Sequence, residues 1–428
     1  MSRKALPAFC RLAIAVLVVP LVLVAGCGVT DKEPPEVGQA RGVIEDAWGQ
    51  GGALVNLALS LFEAHPAVPE ARARVLESLE SPSPAIRVAA TRVLAAWKDP
   101  ETADRLVALL DDSSPLVPLV AARALAEMGR DEGRDRLLGA IRGPEGELQV
   151  EICAALARIG DETCLAEAAK DVYARDDARS AAAAAVLGAY GEKGRDVLRE
   201  AIRASRKIYG ARRAPVILAL GRVGDESDID RLLPFAAYRE NVLEVLSALA
   251  DIGGERVREY LRSYLPLKDK PVARAAAATA LARMGDVEQD VIDVLSELAM
   301  SDETGVRYRV ADGLREAQGG EAVSTVLAGL AGDPDPAVRK AAVLALLGRT
   351  DDAALQGARF AWEAGREAQE GPAYEAALKA LTVASRIPGE AAWNLLVEAL
   401  GSDNWGYLLE GALGILEHNE MRKAQPAG

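Results

Sequence analysis

The chain has 428 residues, of which 64 are acidic and 50 are basic, and half of them are apolar although only 4% are aromatic. With 2 histidines and 4 cysteines, the composition excludes a disulfide-rich scaffold and leaves few ligands for a histidine-based metal site or catalytic triad. The apolar content also excludes a disordered chain. Because Ala, Leu and Val supply most of it, closely packed helices are favoured over β-sandwiches.

Residues 1–26 have the layout of a secretory signal peptide, which is removed from the mature protein. Three basic residues precede an apolar run from Leu12 to Val24 that ends in small residues. The run is shorter than the ~20 residues that span a bilayer, and Pro20 interrupts it. Its end resembles the lipobox of bacterial lipoproteins, in which the cysteine becomes the lipid-modified first residue: Leu23-Val24-Ala25-Gly26-Cys27. The alternative is an ordinary secretory signal followed by an unrelated cysteine.

The lipobox resemblance implies a lipid on Cys27 and a location in the cell envelope, anchored to a membrane. Several acyl chains, at ~0.8 kcal/mol per buried methylene, hold a protein on a membrane stably. Gly28 follows the cysteine, where an Asp would indicate inner-membrane retention, so we expect the periplasmic face of the outer membrane if the organism is Gram-negative. Removal of the signal leaves 47 basic against 64 acidic residues, a net charge of −17 instead of −14, which argues against nucleic acid as a partner.

The rest of the chain is predicted to be one repetitive domain over residues 43–418. Before it, residues 27–42 combine Pro, Gly and charge, and are predicted to be the lipidated cysteine and a flexible linker. After it, residues 419–428 are predicted to be a disordered tail. Within the domain a leucine recurs every 29 to 33 residues, usually four residues before a glycine: Leu94, Leu125, Leu156, Leu187, Leu220, Leu249, Leu281, Leu314 and Leu346.

Each repeat is predicted to hold two antiparallel helices. A turn rich in Pro, Asp or Ser ends the first helix and places Pro in the first turn of the second, as in Ser81-Pro82-Ser83-Pro84. The glycine of Ile159-Gly160-Asp161 and its equivalents is predicted to be a left-handed cap, and the following acid an N-cap. About twelve such pairs are expected to stack into a curved, elongated rod roughly 100–120 Å long.

These units resemble HEAT repeats, most closely the short bacterial kind also found in phycobilin lyases. The second-helix pattern of that family is nearly complete in Asp333-Pro334-Asp335-Pro336-Ala337-Val338-Arg339. The resemblance implies an all-α fold, a right-handed α-solenoid of about 11–12 antiparallel helix pairs in an armadillo-like superhelix, with the second helices on the concave face. Arginine recurs in the place of Arg339 at Arg87, Arg274 and Arg307, whereas other residues interrupt the ladder: Pro118, Gln149 and Val242.

Few residues indicate catalysis, and no cofactor or metal is expected. The sequence has no P-loop, dinucleotide fingerprint, HExxH or Cys-x-x-Cys motif. His65 beside Pro66 and His418 near the C-terminus are interpreted as surface or capping residues. Met128 and Met284 hold the repeating position before the glycine and are predicted to be core.

Cys153 and Cys164 are the thiols that remain in the mature chain, on adjacent helices around the Gly160 corner. A disulfide between them is one hypothesis for an exported protein. Two buried free thiols are the alternative, because the spacing does not show how the Cβ atoms are oriented.

A basic interval spans residues 193–222, where nine basic residues accompany two acidic ones. Its arginines follow four-residue steps and share a helix face, as do Arg195 and Arg199. One interpretation is that they pair with acids of neighbouring repeats. The other is a docking patch for an acidic protein, with these binding residues: Arg203, Arg206, Lys207, Arg212 and Arg213.

The sequence therefore predicts a non-enzymatic, lipid-anchored scaffold that binds another protein along its concave face. Variable positions on the second helices are candidates for specificity: Arg92, Arg123, Glu127, Arg158, Asp251 and Arg283. Two alternatives stay open. One is an accessory or lyase-like chaperone for an envelope enzyme or cofactor, and the other is a structural spacer in an envelope assembly.

Overall fold

A computed structural model describes residues 33–141, 147–174, 176–204 and 213–424. Contacts within the chain divide it after Pro34, and the unit described below is Pro35–Gly428. All regular secondary structure in the described ranges is helical, with 24 α-helices arranged as successive antiparallel pairs. The prediction of an all-α solenoid of about 11–12 helix pairs is confirmed.

The helices of each pair are named in chain order. The first helices are α1 (Pro35–Gln50), α3 (Pro69–Ser78), α5 (Ala103–Ala108), α7 (Arg134–Ala140), α9 (Leu165–Asp171), α11 (Glu192–Ala204), α13 (Ile229–Leu232), α15 (Glu255–Arg262), α17 (Gln289–Ala299), α19 (Gly320–Ala331), α21 (Asp352–Gly365) and α23 (Glu390–Ala399). The second helices are α2 (Gly52–Phe62), α4 (Pro84–Trp97), α6 (Leu116–Glu127), α8 (Glu147–Arg158), α10 (Asp177–Ala189), α12 (Arg213–Val223), α14 (Val242–Ile252), α16 (Pro271–Arg283), α18 (Thr304–Gly313), α20 (Pro336–Leu346), α22 (Gly371–Ser385) and α24 (Trp405–Ala424).

The predicted linker over residues 27–42 is wrong from Pro35 onward, where α1 begins. Four residues of this helix at three- and four-residue steps are buried: Val37, Ala40, Ile44 and Ala47. Proline is favoured in a first helical turn, because its missing N–H has no partner there in any case. The Pro34-Pro35 pair therefore marks the start of the domain and not a flexible spacer.

The predicted tail over residues 419–428 is also wrong through Ala424. α24 continues to that residue, and Asn419 is buried within it. The helix is 20 residues long, and its middle is surrounded by other helices, which favours its continuation beyond the last repeating leucine.

The repeating leucines form the interior of the stack, and each of the nine is fully buried. Met128 and Met284 pack against this core but are only partly buried. Glycine ends most second helices in the predicted left-handed conformation, with φ of 78° at both Gly160 and Gly285. Gly224 is an exception without a positive φ, and a Cβ there would lie 2.5 Å from the carbonyl oxygen of Leu220.

Arg87, Arg274 and Arg307 of the second helices join neighbouring repeats, whereas Arg339 donates to carbonyl oxygens of its own repeat. Arg307 donates from Nε to Asp333 Oδ2 at 2.7 Å and from Nη1 to the Ser301 carbonyl oxygen at 2.8 Å. Arg87 donates to Asp112 at 2.7 Å and 2.8 Å in the same manner. These pairs are mostly shielded from water, so their charges hold adjacent helices together and are not presented to a partner.

The stack of repeats closes on itself. Each second helix packs against the next one from α2 to α24, and α24 packs in turn against both α1 and α2. α22 likewise packs against α23 and α24, the two helices of the repeat that follows it. The pair of α1 and α2 therefore occupies the position that the next repeat after α24 would take. The expectation of an elongated rod is therefore wrong.

The second helices form the inner layer of this ring. They contact one another around the whole circle, whereas consecutive first helices have few contacts except near α19 and α21. An inner layer has the shorter circumference, so the layer with continuous contacts lies inside. With axes ~8–10 Å apart and helices ~10–12 Å wide, twelve second helices enclose a space roughly 20–27 Å across.

Candidate functional site

Most residues predicted for lipidation and docking lie outside the described part of the chain: Cys27, Arg206, Lys207 and Arg212. Arg213 begins α12. Arg203, near the end of α11, is 74% exposed and lies 3.0 Å from Glu200. Lipidation of Cys27 and the docking patch therefore stay predictions.

The described part of the basic interval binds the adjacent repeat. Arg199 donates from Nε to Asp228 at 2.8 Å and from Nη2 to Asp225 at 2.9 Å, and Asp228 is fully buried. Arg195 lies 3.3 Å from Asp225. The hydrogen bond to Asp228 raises the pKa of Arg199, while hydrogen bonds from Ser227 and then Arg199 lower the pKa of Asp225 to about 2. For Arg195 and Arg199, the structure supports pairing with neighbouring acids.

Cys153 on α8 and Cys164 before α9 are joined, with sulfur atoms 2.15 Å apart and Cα atoms 5.7 Å apart. Both residues are buried, and they border a cavity of about 660 Å³ between α8, α9 and α10. Of the two hypotheses left open by the sequence, this geometry favours the disulfide.

The interpretation of His65 and His418 as surface or capping residues is wrong. His65, in the turn after α2, is fully buried where the first and last repeats meet. Its Nδ1 lies 2.6 Å from Glu417 Oε2, and its Nε2 lies 3.0 Å from Glu410 Oε1. His418 is only 4% exposed, with Nε2 3.1 Å from the Ala384 carbonyl oxygen. Both histidines are interior residues, His65 at the closure and His418 beside α22 and Trp393 of α23.

Both ring nitrogens of His65 face carboxylates, so both carry a proton and the side chain is a cation. Burial alone would lower its pKa, but Glu410 and Glu417 outweigh burial and raise the pKa of His65 from 6.5 to about 9. Burial would likewise raise the pKa of Glu410, but His65 and Thr382 outweigh it and lower that pKa. Arg386 adds a hydrogen bond to the Ala64 carbonyl oxygen at 3.2 Å. Buried, charged hydrogen bonds thus hold the ring closed.

A groove of about 640 Å³ crosses the inner face of four second helices, α12, α14, α16 and α18. Its floor consists of small and aliphatic side chains such as Leu218, Leu243 and Ala276. Seven charged residues line it: Arg222, Asp251, Arg283, Arg309, Asp312, Arg315 and Glu316. Two of the six residues predicted for the concave face, Asp251 and Arg283, therefore lie in one groove. The other four lie on α4, α6 and α8: Arg92, Arg123, Glu127 and Arg158.

Four of the groove charges alternate in sign from one repeat to the next: Arg222, Asp251, Arg283 and Glu316. Arg283 binds Asp251 through Nη2, donates from Nη1 to Ser247 Oγ at 3.3 Å, and lies 3.7 Å from Glu316. Burial raises the pKa of Asp251, an effect that Arg283 and Arg222 partly offset. Arg283 is therefore neutralised by acids of the protein itself.

The side chains of three groove arginines form no hydrogen bond or ion pair with any of the described residues. Arg222 and Arg315 are exposed, and Arg309 is half-buried. The carboxylate of Asp312, which is exposed, is likewise without such a partner within the described ranges. The groove thus has four arginines against three acids, a net charge of +1, and three of these arginines are not paired internally.

The sequence interpretation missed these three arginines as groove residues. Arg222 stands two residues after Leu220, as Arg283 does after Leu281, so the repeat register could have identified it. Arg309 and Arg315 hold other positions relative to the repeating leucine. Only the packing of α18 against α16 brings them to the same groove.

The family model of HEAT repeats matches residues 72–147 and 238–315. The second segment contains α14, α16 and α18, three of the four groove helices. No curated protein is significantly similar to the chain.

Two solved structures resemble the chain at low identity. An engineered protein is 19% identical with a TM-score of 0.34, and the match covers 81% of this chain and 98% of that protein. The karyopherin Kap121p, crystallised bound to the SUMO protease Ulp1p, is 12% identical with a TM-score of 0.34. That match covers 84% of this chain and 49% of the karyopherin, so the chain spans about half of its length.

Neither a membrane-spanning helix nor a metal site was found in the described ranges. None of the helices there is both long and apolar enough to cross a membrane. Nor do three or more His, Cys, Asp or Glu side chains in those ranges come together in a way that could hold a metal ion.

Proposed function

We propose that the protein is a non-enzymatic, lipid-anchored scaffold of the cell envelope that holds a segment of another protein inside its ring of helices. The observation that carries the proposal is the closed inner layer, whose groove presents unpaired charges to the enclosed space. A space roughly 20–27 Å across admits an extended chain or a helix ~10–12 Å wide. It is too narrow for a folded domain of about 100 residues, which is roughly 30 Å or more across.

The sequence supports the membrane anchor and the location. Residues 1–26 have the layout of a signal peptide, and the segment that ends at Cys27 resembles a lipobox. We place the protein at the periplasmic face of the outer membrane if the organism is Gram-negative, because Gly28 stands where a retention signal would have Asp.

Labelling with radioactive palmitate tests the anchor. We expect the wild-type protein to carry label and to remain in the membrane fraction, and Cys27→Ser to lose both properties. Cys10→Ser lies within the signal peptide and is the matched control, because that cysteine is absent from the mature protein. A Cys27→Ser protein that keeps label and membrane association would contradict the anchor.

Co-purification after mild solubilisation and crosslinking tests the scaffold. We expect a stoichiometric protein partner, whose recovery falls when Arg92 and Arg158, exposed residues of the second helices α4 and α8, are replaced by Glu. The matched control replaces Arg105 and Arg239 by Glu, since both are exposed and lie outside the second helices. A coloured or small-molecule ligand without a protein would favour the accessory chaperone, and a regular filament of the protein alone would favour the spacer.

A further inference from the structure

We infer that the groove across α12, α14, α16 and α18 binds a segment of the partner that is rich in Asp and Glu. The inference rests on the proposed scaffold function and specifies the chemistry of its partner at one place on the inner face. It depends on three observations: the groove itself, the pairing of its charges, and the positions of the unpaired arginines.

The charges that the protein leaves unpaired decide what the groove attracts. Arg283 is engaged by Asp251 and lies close to Glu316, so it offers little to a partner. The remaining charged residues are three arginines and one acid: Arg222, Arg309, Arg315 and Asp312. This positive excess occurs in a chain whose net charge is −14, so it runs against the charge of the molecule as a whole. An acidic segment would be repelled by most of the surface and attracted here.

The chemistry of arginine favours carboxylate groups as ligands. Its planar guanidinium donates two parallel hydrogen bonds to one carboxylate, and such charged bonds are stronger than neutral ones. Arg309 is half-buried, so a carboxylate bound to it would be partly shielded from water and from salt.

The arrangement of the arginines sets the length of the segment. Arg222 lies on α12 at one end of the groove, whereas Arg309 and Arg315 lie on or just after α18 at the other end. Three helix spacings of ~8–10 Å separate these ends, a distance of roughly 24–30 Å. An extended chain rises ~3.3 Å per residue, so about 7 to 9 residues cross the groove. The small side chains of Ala276 and Ala280 allow the backbone to lie close to α16.

A labelled peptide of about 10 residues that alternates Glu with Gly tests the inference by fluorescence anisotropy on the mature protein. We expect binding that weakens as salt rises from about 50 to 200 mM, because exposed charges contribute to it. Arg309→Ser with Arg315→Ser is expected to raise the Kd by about tenfold or more. Arg222→Ser replaces an exposed residue and is expected to raise the Kd several-fold. This variant tests the inference if the double variant does not fold.

The matched control is Arg105→Ser with Arg239→Ser, which removes two exposed positive charges outside the groove and is expected to leave the Kd unchanged. An equal loss in this control, or equal binding of a peptide with Gln in place of Glu, would overturn the inference. Polyphosphate that binds the groove while the Glu peptide does not would overturn it too.

These results are distinguishable from a failure of the scaffold proposal. A protein partner that is lost when Arg92 and Arg158 are replaced, but retained by the Arg309 and Arg315 variant, supports the scaffold and overturns the acidic subsite. Peptide binding without any co-purifying protein supports the subsite chemistry and contradicts the scaffold.

Discussion

His65 and Glu410 stand 345 residues apart in the sequence, and their side chains meet at 3.0 Å. Glu417 lies 2.6 Å from the other ring nitrogen, so one imidazolium connects the turn after α2 to two positions of α24. Thr382 donates a further hydrogen bond to Glu410. The polar part of the closure therefore consists of a small set of side chains that can be changed one at a time.

His65→Gln is expected to lower the free energy of unfolding by about 3–5 kcal/mol, because it leaves the carboxylate of Glu410 buried without its cation. Urea unfolding followed by circular dichroism measures the loss. Adding Glu410→Gln removes the uncompensated charge, so the double variant is expected to be more stable than His65→Gln alone. Losses that simply add would contradict direct pairing of the two residues.

The stability contributed by His65 is expected to fall as pH rises above 6.5. Below that value the histidine is charged in the folded and the unfolded chain, and the contact contributes fully. Between 6.5 and the folded pKa of about 9, the unfolded chain loses a proton that the folded chain keeps. The difference between these pKa values corresponds to ~3 kcal/mol. Glu410 has the opposite dependence at low pH. Because its pKa is lowered in the folded chain, its contribution to stability is lost as pH falls below 4.5.

Urea midpoints of the wild type and of His65→Gln at about pH 6, 7.5 and 9 measure this dependence. The difference between the two proteins is expected to shrink as pH approaches 9. A difference that stays constant over this range would show that His65 does not titrate as a buried cation.

Gly221→Ala is expected to destabilise the protein by about 1–3 kcal/mol and to weaken peptide binding in the groove. Gly221 on α12 allows close approach of α14, since a Cβ there would lie 2.5 Å from the Cα of Ala248. Gly329→Ala is the matched control, because no atom lies within 4 Å of a Cβ at that position of α19. This control is expected to gain about 0.5–1 kcal/mol from helix propensity. Thermal unfolding compares the two, and similar effects would contradict the close approach at Gly221.

Loss of the disulfide is expected to cost about 3 kcal/mol in the chain-entropy estimate for a short loop. Cys153 and Cys164 are 11 residues apart, so Cys153→Ala with Cys164→Ala removes one small closed loop. The variant is expected to unfold at lower urea than the oxidised wild type and to match the reduced wild type. Peptide mapping without reductant is expected to find the two cysteines linked, and two free thiols would refute the bridge.

The repeating pattern predicts most of the helices because each repeat needs its own buried leucine, whatever the rest of the chain does. Leu125, Leu156 and Leu187 each fill the interior of their own repeat, and all are fully buried. α1 is harder to recognise, since Gly38 and Gly42 interrupt the apolar spacing of Val37 and Ala40. Burial of its apolar face against α24, a partner far along the chain, stabilises a helix that the local sequence does not favour.

Closure of the ring depends on the summed rotation of all the repeats, which no single repeat determines. About twelve repeats must each turn by ~30° to complete a circle, and an error of a few degrees per repeat would leave it open. His65 illustrates the same limit, because its partners come from the other end of the chain. In the groove, Asp251 and Arg283 follow the repeat register and were predictable, whereas Arg309 depends on how α18 packs.

An array that joins its two ends has no terminal repeat from which it can fray. In an open array, stability is a sum over repeats and their interfaces, and unfolding starts at an end. Here the contact between His65 and Glu417 closes a loop of 352 residues, at an entropic cost of about 5 kcal/mol because that cost grows only with the logarithm of length. Once that interface forms, local opening at any repeat must break contacts on both of its sides, so the array unfolds as one cooperative unit.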